Sequence, residues 1–386
     1  MTPVVEFGLI APLLTVLIGA LVSVLAEAFV PRGARYAAQG IISLVTLVVA
    51  LGYTIVQWTS GSPAIAVMGA ISVDRTSSFL WLLVTAFGVL SLLLFLDRQV
   101  GGGASAFTPS AATVPGSASE REAIAARLEH TEVYPLVLLA IFGMMLFPAA
   151  NDLLTMFVAL EILSLPLYLL SGLARRRRLL SQEAALKYFL LGALSSALFL
   201  YGVALLYGYA GSFRFSDVDA AISANRQSNT LLLAGLGLVT VGLLFKLGAV
   251  PFHSWVPDVY TGAPTPVTAF MSVCTKIAAV GGLARLLYVA VGGMRWDWQL
   301  VLAVVAVLTM LVGALIGLAQ TDVKRLLAYS SIAHAGFILV AVTGAVTAAT
   351  GLASGQVGSV AGALFYLAAY GFATLGAFAV VTLVRR

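Results

Sequence analysis

Long apolar runs alternate with short polar segments along the whole chain. A helix needs about 20 apolar residues to cross the hydrocarbon core of a bilayer. Eleven runs reach or approach that length, so the pattern predicts an all-α, polytopic transmembrane helix bundle. The predicted spans are 4–29, 36–57, 74–96, 133–150, 152–173, 183–210, 230–250, 264–291, 298–319, 325–347 and 357–384.

One polar segment interrupts the pattern between two spans. Residues 251–263 (PFHSWVPDVYTGA) are too polar and too rich in proline for an ordinary membrane helix. Gly248 and Pro251 precede and open this segment, and proline removes a backbone donor and restricts the residue before it. The pattern therefore predicts a broken helix, which a membrane tolerates only where the backbone lines protein or water. We expect a structural role for His253 inside the break.

Composition agrees with a membrane protein and narrows the function. Apolar residues make up 61% of the 386 residues and charged residues only 10%, against about 25% charged in a soluble domain. The single cysteine, Cys274, and the scattered histidines, including His130, give no metal or disulfide pattern. The first apolar run is long enough to span, which argues against a cleavable signal peptide. The net charge of +5 does not indicate nucleic-acid binding, because the basic residues sit in loops between spans.

The placement of lysine and arginine predicts the orientation. With the N-terminus outside, the inside loops hold thirteen of these residues and the outside loops four. Cytoplasmic loops carry such an excess, so residue 386 is expected on the cytoplasmic side. The arginine run 175–178 is interpreted as a topology anchor, and Arg285 as a side chain that reaches an outer surface. The loop 97–132, rich in Gly, Ala, Ser and Pro, is predicted to be a flexible inside insert with a short amphipathic piece near 119–130.

Three groups of acidic or hydroxyl residues stand where spans begin. Asp152, Ser181 with Glu183, and Asp322 are interpreted as helix caps, because small acceptors satisfy free amides and acids favour the positive end of the helix dipole.

Four ionisable residues lie inside apolar runs, namely Glu161, Lys187, Lys246 and Lys276. A charge at the bilayer centre costs roughly 2.5–3.5 kcal/mol even on the lenient scale, so such residues usually face a bundle interior or a water-filled path. Glu161 and Lys187 are predicted to form an ion pair across adjacent helices, either as a charge switch or as a static packing contact. Lys246 either joins a relay beside the break or reaches the inside surface along its stem. The set suggests a proton relay.

Lys276 lies about twelve residues into its span, too deep to reach a surface easily. Thr268, Ser272 and Thr275 fall near its own helix face and predict a polar stripe. His334, also in mid-span, is interpreted as a relay member, because histidine can shuttle protons near neutral pH.

A weak internal repeat has an offset of about 175 residues. Leu153-Leu154 precedes Glu161 at the spacing with which Leu326-Leu327 precedes His334. The tetrapeptide at 185–188 is matched in the same way by the one at 363–366. Five spans per unit would put the two units in opposite orientations, an arrangement common in transporters, although short apolar matches also arise by chance.

Four segments resemble a known family: ALEILSLPLY, ALKYFLLGALSSALFLYG, FKLGAVPFHSWVPDVYTGAPTPVTAFMSVCTK and KRLLAYSSIAHAGF. From about 74 to 384 the chain resembles subunit N (subunit 2 type) of proton-translocating NADH-quinone oxidoreductase, respiratory complex I. The related L and M subunits and the Mrp antiporters share the lysines but differ around the acid and after the PFH motif.

The resemblance implies an antiporter-like fold with two inverted five-helix repeats. It divides the chain into a three-helix segment 1–96, the loop insert 97–132, a first repeat 133–291 and an incomplete second repeat 298–386. By the same resemblance, Glu161, Lys187, Lys246, Lys276 and His334 are the proton relay. It implies a bacterial plasma-membrane location, neighbouring M-type and K-type subunits, and no cofactor on this chain. NADH, FMN, iron–sulfur clusters and quinone belong to partner subunits.

The chain departs from the family in its number of spans, about eleven where family members have about fourteen. Either the sequence is part of a longer chain, which is the expectation, or this member lacks a normal exit half-channel. An Mrp-type sodium/proton antiporter subunit and a non-conducting assembly scaffold stay open as alternative functions.

Overall fold

The computed structural model describes residues 5–98, 105–107, 117–125, 130–175, 177–224, 229–344 and 358–384. Within these residues the chain is almost entirely helical. The helices, in chain order, are α1 (Ala11–Phe29), α2 (Arg32–Ser60), α3 (Arg75–Phe95), α4 (Ala118–Ala125), α5 (Val133–Ala149), α6 (Leu153–Ser171), α7 (Arg178–Ala210), α8 (Phe215–Ala224), α9 (Thr230–Leu247), α10 (Trp255–Gly262), α11 (Thr265–Arg285), α12 (Arg295–Leu318), α13 (Val323–Gly344) and α14 (Gly358–Val384).

The predicted helix bundle is confirmed. Ten helices of the described chain are long and apolar enough to cross a membrane, and α5 is a shorter apolar helix. These eleven elements coincide with the eleven predicted spans, including the short one at 133–150. The length of each apolar run is enough to predict where a membrane helix forms, because such a helix satisfies all its backbone hydrogen bonds within one segment.

Two of the three predicted caps are confirmed. The Asp152 carboxylate accepts the amide of Thr155 at 2.7 Å at the start of α6. Asp322 accepts the amides of the first turn of α13 in the same manner. The third prediction is wrong, because α7 begins at Arg178 and Ser181 lies inside its first turn. The Ser181 hydroxyl instead ties the helix to the segment before it by accepting the Ala174 amide at 3.1 Å.

A small hairpin between α2 and α3 has no counterpart in the predicted elements. Strand β1 (Ala64–Ala66) pairs with antiparallel strand β2 (Ile71–Val73), with Ile65 opposite Ser72. Asn151, in the loop between α5 and α6, contacts the hairpin turn. Its side-chain amide donates to the Gly69 carbonyl at 2.8 Å. The hairpin therefore fastens the α2–α3 connection to the loop between α5 and α6.

Helix α11 forms the centre of the bundle and packs against α3, α5, α9 and α14. Almost all of its residues are buried, which explains its lower apolar content: protein and not lipid surrounds it. Small residues allow close packing nearby. A Cβ on Gly202 of α7 would lie 2.7 Å from the Gly235 carbonyl of α9, so a larger residue would force the two helices apart.

Arg285 does not reach a surface, contrary to the sequence prediction. Its side chain is buried at the end of α11, where the guanidinium contacts Asp74 at 2.7 Å and the Pro148 carbonyl at 2.6 Å. Asp74 is the N-cap of α3 and also accepts the Ser77 amide at 2.7 Å. Burial would raise the pKa of Asp74, but Arg285 and Ser77 outweigh it and hold the pKa below its usual value. The ion pair joins three helices at one end of the bundle.

Some predictions fall on residues outside the described part of the chain. The loop insert 97–132 is described only at 97–98, 105–107, 117–125 and 130–132, where α4 occupies the first part of the predicted amphipathic piece. Five arginines used in the orientation count also lie outside it: Arg127, Arg176, Arg226, Arg385 and Arg386.

Candidate functional site

The predicted break in the seventh span is confirmed between α9 and α10. Helix α9 ends at Leu247, and Gly248 follows with a left-handed φ of 77°, a conformation that glycine adopts without strain. The Leu247 carbonyl would normally accept the amide four residues later, but that residue is Pro251, which has no amide hydrogen. The break therefore leaves a carbonyl inside the bundle that needs a donor from elsewhere.

Lys276 supplies that donor. The residue lies in the middle of α11 and is only 2% exposed. Its Nζ donates to the Leu247 carbonyl at 3.0 Å. The predicted polar stripe is present, but its hydroxyls donate to backbone carbonyls. Ser272 donates to Ala269 at 2.9 Å, and Thr275 donates to the carbonyl of Met271 within its own helix.

Lys246 lies on the other side of the same break, one residue before the carbonyl that Lys276 contacts. Its exposure is 4%, so the alternative in which it reaches the inside surface is wrong. The Lys246 Nζ donates to the Ser164 hydroxyl at 2.8 Å. It also lies 5.9 Å and 5.6 Å from the ring centroids of Tyr168 and Tyr188, within the range of a cation–π contact.

Glu161 lies three residues before Ser164 on α6, which places both side chains on one helix face. Its carboxylate interacts electrostatically with Lys246. Among the described residues, the buried Oε1 atom of Glu161 has no hydrogen-bond partner. Ser164, the neutral partner of Lys246 one turn along α6 from the acid, was not identified from the sequence.

The predicted ion pair between Glu161 and Lys187 is not formed. Lys187 Nζ contacts Asp258 at 2.7 Å and Glu183 at 2.6 Å, and the lysine side chain is 42% exposed. The next residue, Tyr188, turns towards α6 in place of the lysine, because successive helical side chains point about 100° apart. Its ring centroid lies 4.7 Å from that of Tyr168.

Asp258 is a functional candidate that sequence reasoning missed. It lies on α10, the short helix after the break, and its second oxygen accepts Arg325 of α13 at 3.0 Å. The carboxylate therefore ties α10 to α7 and to α13 at once. The sequence signal that could have found it is an acid within a segment already recognised as broken backbone.

His334 lies on α13, beside α14. Its Nδ1 lies 2.5 Å from the Tyr366 hydroxyl of α14, and its ring interacts electrostatically with Lys276. One turn later on α14, the Tyr370 hydroxyl contacts Ser331 at 2.8 Å and donates to the Ser272 carbonyl at 3.2 Å. The two tyrosines were missed as site residues, although their spacing of four puts them on one face.

The polar groups form a series linked by pairwise interactions, which we call the polar line. It begins at Glu161 and Ser164, passes Lys246 and the broken backbone to Lys276, and ends at His334. Lys187 lies off this line, and His253 lies in the break, where its Nδ1 is buried with no hydrogen-bond partner in the described chain. No group of three His, Cys, Asp or Glu side chains in the described residues is placed to hold a metal ion.

Comparisons of the sequence with known proteins give consistent matches. Residues 150–386 match the family described as "NADH:quinone oxidoreductase/Mrp antiporter, TM". The chain is 58% identical over 384 residues to NADH-quinone oxidoreductase subunit N of Cutibacterium acnes, covering all of this chain and 71% of that protein. It is 57% identical to the subunit N of a Nocardioides species, covering 99% of this chain and 73% of the relative.

Comparisons with solved structures give the same fold. Respiratory complex I from Thermus thermophilus contains a chain that matches with a TM-score of 0.72 and 36% identity, over 96% of this chain and 70% of that one. The Mrp complex from a Dietzia species matches with a TM-score of 0.76 over 98% of this chain and 64% of that one. At 21% identity, the Mrp match shows the fold alone.

Proposed function

Because the chain belongs to the antiporter-like membrane subunits of NADH:quinone oxidoreductase, in the group of subunit N, we propose that the polar line at its broken helix carries protons. Members of this group are proton-translocating subunits of a membrane-bound oxidoreductase, and this chain is one of them. The observation that supports the relay is the position of two buried lysines on either side of one helix break.

The chemistry of the break suits a relay. A lysine can hold and release a proton, and its four-carbon stem lets the amine move between acceptors. Lys276 donates to a carbonyl that the missing Pro251 amide leaves free, so the contact can be exchanged for water without breaking helix structure. Lys246 reaches Ser164 from the opposite side. We propose that Glu161, Lys246, Lys276 and His334 relay protons in this spatial order.

Lys187 has a different proposed role. Its contacts with Asp258 and Glu183 hold it away from Glu161, so it acts as a charge partner for α10 and not as a member of the line. We propose that Lys187 switches between Asp258 and Glu161 during turnover. When it leaves Asp258, α10 loses one of its two ionic contacts and the break can change shape, since Arg325 supplies the other contact.

The remaining assignments follow from the family. We propose that the N-terminus lies outside and residue 386 on the cytoplasmic side of a bacterial plasma membrane. The proposed units are the segment 1–96, the insert 97–132, a first repeat 133–291 and an inverted second repeat that begins at 298. We further propose that NADH, FMN, iron–sulfur clusters and quinone bind to partner subunits, and that M-type and K-type subunits are the membrane neighbours.

The test uses the assembled complex in inverted membrane vesicles. Lys246→Ala and Glu161→Gln are each compared with Glu122→Gln, which removes an exposed carboxylate on α4 outside the membrane spans. NADH oxidation and proton uptake, followed by a pH-sensitive dye, are measured on the same vesicles. Both rates should fall several-fold in the two relay variants and stay unchanged in the control. Normal proton uptake by an assembled Lys246→Ala complex would instead support the scaffold function.

The alternative function, an Mrp-type antiporter, predicts a different dependence of proton uptake on sodium and NADH. Such a chain would exchange sodium for protons without NADH oxidation. Proton uptake that requires sodium and is independent of NADH would therefore replace our proposal with the antiporter function. We expect uptake to depend on NADH and to be the same in sodium and potassium buffers.

A further inference from the structure

A cavity of about 340 Å³ lies at the end of the bundle where α6 and α10 finish and where α11 and α13 begin. Its wall also includes the segment around Ala106 and the last turn of α14 at Thr382. It is separate from the polar line described above, and none of the proposed relay residues lines it. In the proposed orientation it opens at the cytoplasmic surface of the membrane.

The charged groups in the wall are all cations. Arg175, Arg177 and Lys324 line the cavity, and no acidic residue of the described chain does so. Asp322, which is not part of the wall, lies 3.6 Å from the Arg177 guanidinium. That carboxylate also accepts two amides at the start of α13, so part of its charge is already used by the helix cap. The cavity therefore has a net positive wall.

The wall contains a buried lysine, Lys324, in addition to the two arginines. The lysine is 1% exposed, and its Nζ donates to the carbonyls of Thr261 and Ala263 at 3.3 Å and 2.6 Å. These contacts fix the short link between α10 and α11 against α13. The sequence alone placed this lysine in a loop, whereas the structure buries its charge directly beside the cavity.

Backbone geometry adds to the positive potential. The N-terminus of α11, a helix of 21 residues, forms part of the wall through Thr265. Pro264 and Pro266 have no amide hydrogen, so Thr265 supplies the lining amide, and the partial positive charge of the helix end favours phosphate groups. On the opposite side, the Arg175 amide donates to the Ala106 carbonyl at 3.1 Å and holds the arginine segment in place. The hydroxyls of Thr261 and Thr382 also line the cavity but donate to carbonyls of their own helices, so the cations and the helix end provide the attraction for an anion.

We propose that this cavity binds a phosphate group, carried either by an anionic phospholipid or by inorganic phosphate. Guanidinium groups match phosphate oxygens in a bidentate manner, and a buried ammonium adds a point charge. Basic pockets between membrane helices at the cytoplasmic surface bind lipid headgroups by the same chemistry. The arginine run 175–178, interpreted from sequence as an orientation signal, would thus have a second role in Arg175 and Arg177.

The experiment uses the complete complex, purified in detergent and depleted of lipid. Native mass spectrometry counts bound dioleoylphosphatidylglycerol during a titration, with dioleoylglycerol, which has the same chains and no phosphate, as the uncharged comparison and radiolabelled inorganic phosphate in equilibrium dialysis as the third arm. The variant is Arg175→Gln with Arg177→Gln. The matched control is Arg32→Gln, which removes an exposed arginine from the start of α2, away from the cavity.

The wild-type complex and Arg32→Gln should retain one phosphatidylglycerol that the double variant binds about 30-fold more weakly, since each cation near a membrane surface contributes about 1 kcal/mol. Dioleoylglycerol should bind equally to all three. If only the inorganic phosphate arm shows the difference, the site is a free-phosphate site. Equal binding of both probes to wild type and variant overturns the proposal. Should the double variant fail to assemble, Arg177→Gln alone, at an exposed position, gives the same comparison with a smaller shift.

Discussion

Replacing Lys276 by methionine separates a role in proton transfer from a role in stability. Methionine has nearly the same length and volume, so α11 should keep its packing. The change removes the ammonium and the donor that lies 3.0 Å from the Leu247 carbonyl. It leaves the break otherwise intact, because Gly248 and Pro251 determine where α9 ends.

The size of the stability effect follows from two opposing terms. The Leu247 carbonyl loses its donor, and an unsatisfied buried acceptor costs about 1–3 kcal/mol. Against this, a buried ammonium carries a desolvation penalty of several kcal/mol, which methionine does not have. Lys276 is 2% exposed and, among the described residues, contacts no carboxylate, so little of that penalty is offset in the native protein. We therefore expect the free energy of unfolding of the Lys276→Met complex to be no more than about 1 kcal/mol below that of wild type.

The assay measures proton uptake per NADH oxidised in inverted vesicles, together with the thermal unfolding of the purified complex. Thr275→Val is the control, since its hydroxyl donates only within α11 and the substitution is similar in size. We expect Lys276→Met to lose most proton uptake without loss of stability, and the control to keep both. An assembled Lys276→Met complex that takes up protons normally would refute the relay, and one that is much less stable would show that the lysine is a structural residue.

The ionic contacts give further predictions. Asp258→Asn should release Lys187 from α10 and lower turnover several-fold while the complex still assembles; unchanged kinetics would leave the contact a purely structural one. Arg285→Met leaves the Asp74 carboxylate without its cation and should cost about 3 kcal/mol, measured by thermal unfolding in detergent, with part of the loss recovered by adding Asp74→Asn. Because the pKa of Asp74 is lowered in the folded state, its contribution is complete above the unfolded pKa of about 3.9 and is lost as the pH falls below it. The wild-type unfolding temperature should therefore drop below about pH 4 more steeply than that of Arg285→Met.

The helices and the break were predictable because their causes are local. Apolar run length fixes where a membrane helix forms, and Gly248 with Pro251 fixes where α9 must end. The burial of Lys276 was equally predictable, because a lysine twelve residues into an apolar run has no surface within reach. The caps at Asp152 and Asp322 also follow from neighbours within three residues.

The partners of the charged residues were not predictable in the same way. Lys187 was expected beside Glu161 because the two spans are consecutive, yet its partners are Glu183 in its own helix and Asp258, 71 residues away. Which of Lys187 and Tyr188 faces α6 depends on the rotation of α7 about its axis. That rotation is set by the packing of Tyr188 between Tyr168 and the Trp255 ring, at 4.7 Å and 4.6 Å.

Local features of the chain therefore predict a bundle of membrane helices with a break and with lysines buried near it. The packing of the helices sets which groups those lysines contact: Ser164 for Lys246, and the Leu247 carbonyl for Lys276. It also decided that Arg285 pairs with Asp74, 211 residues away, and does not reach a surface. The physical reason is that depth in the membrane follows from local run length, whereas a charge pairs according to helix rotation and neighbours, which only the packed bundle defines.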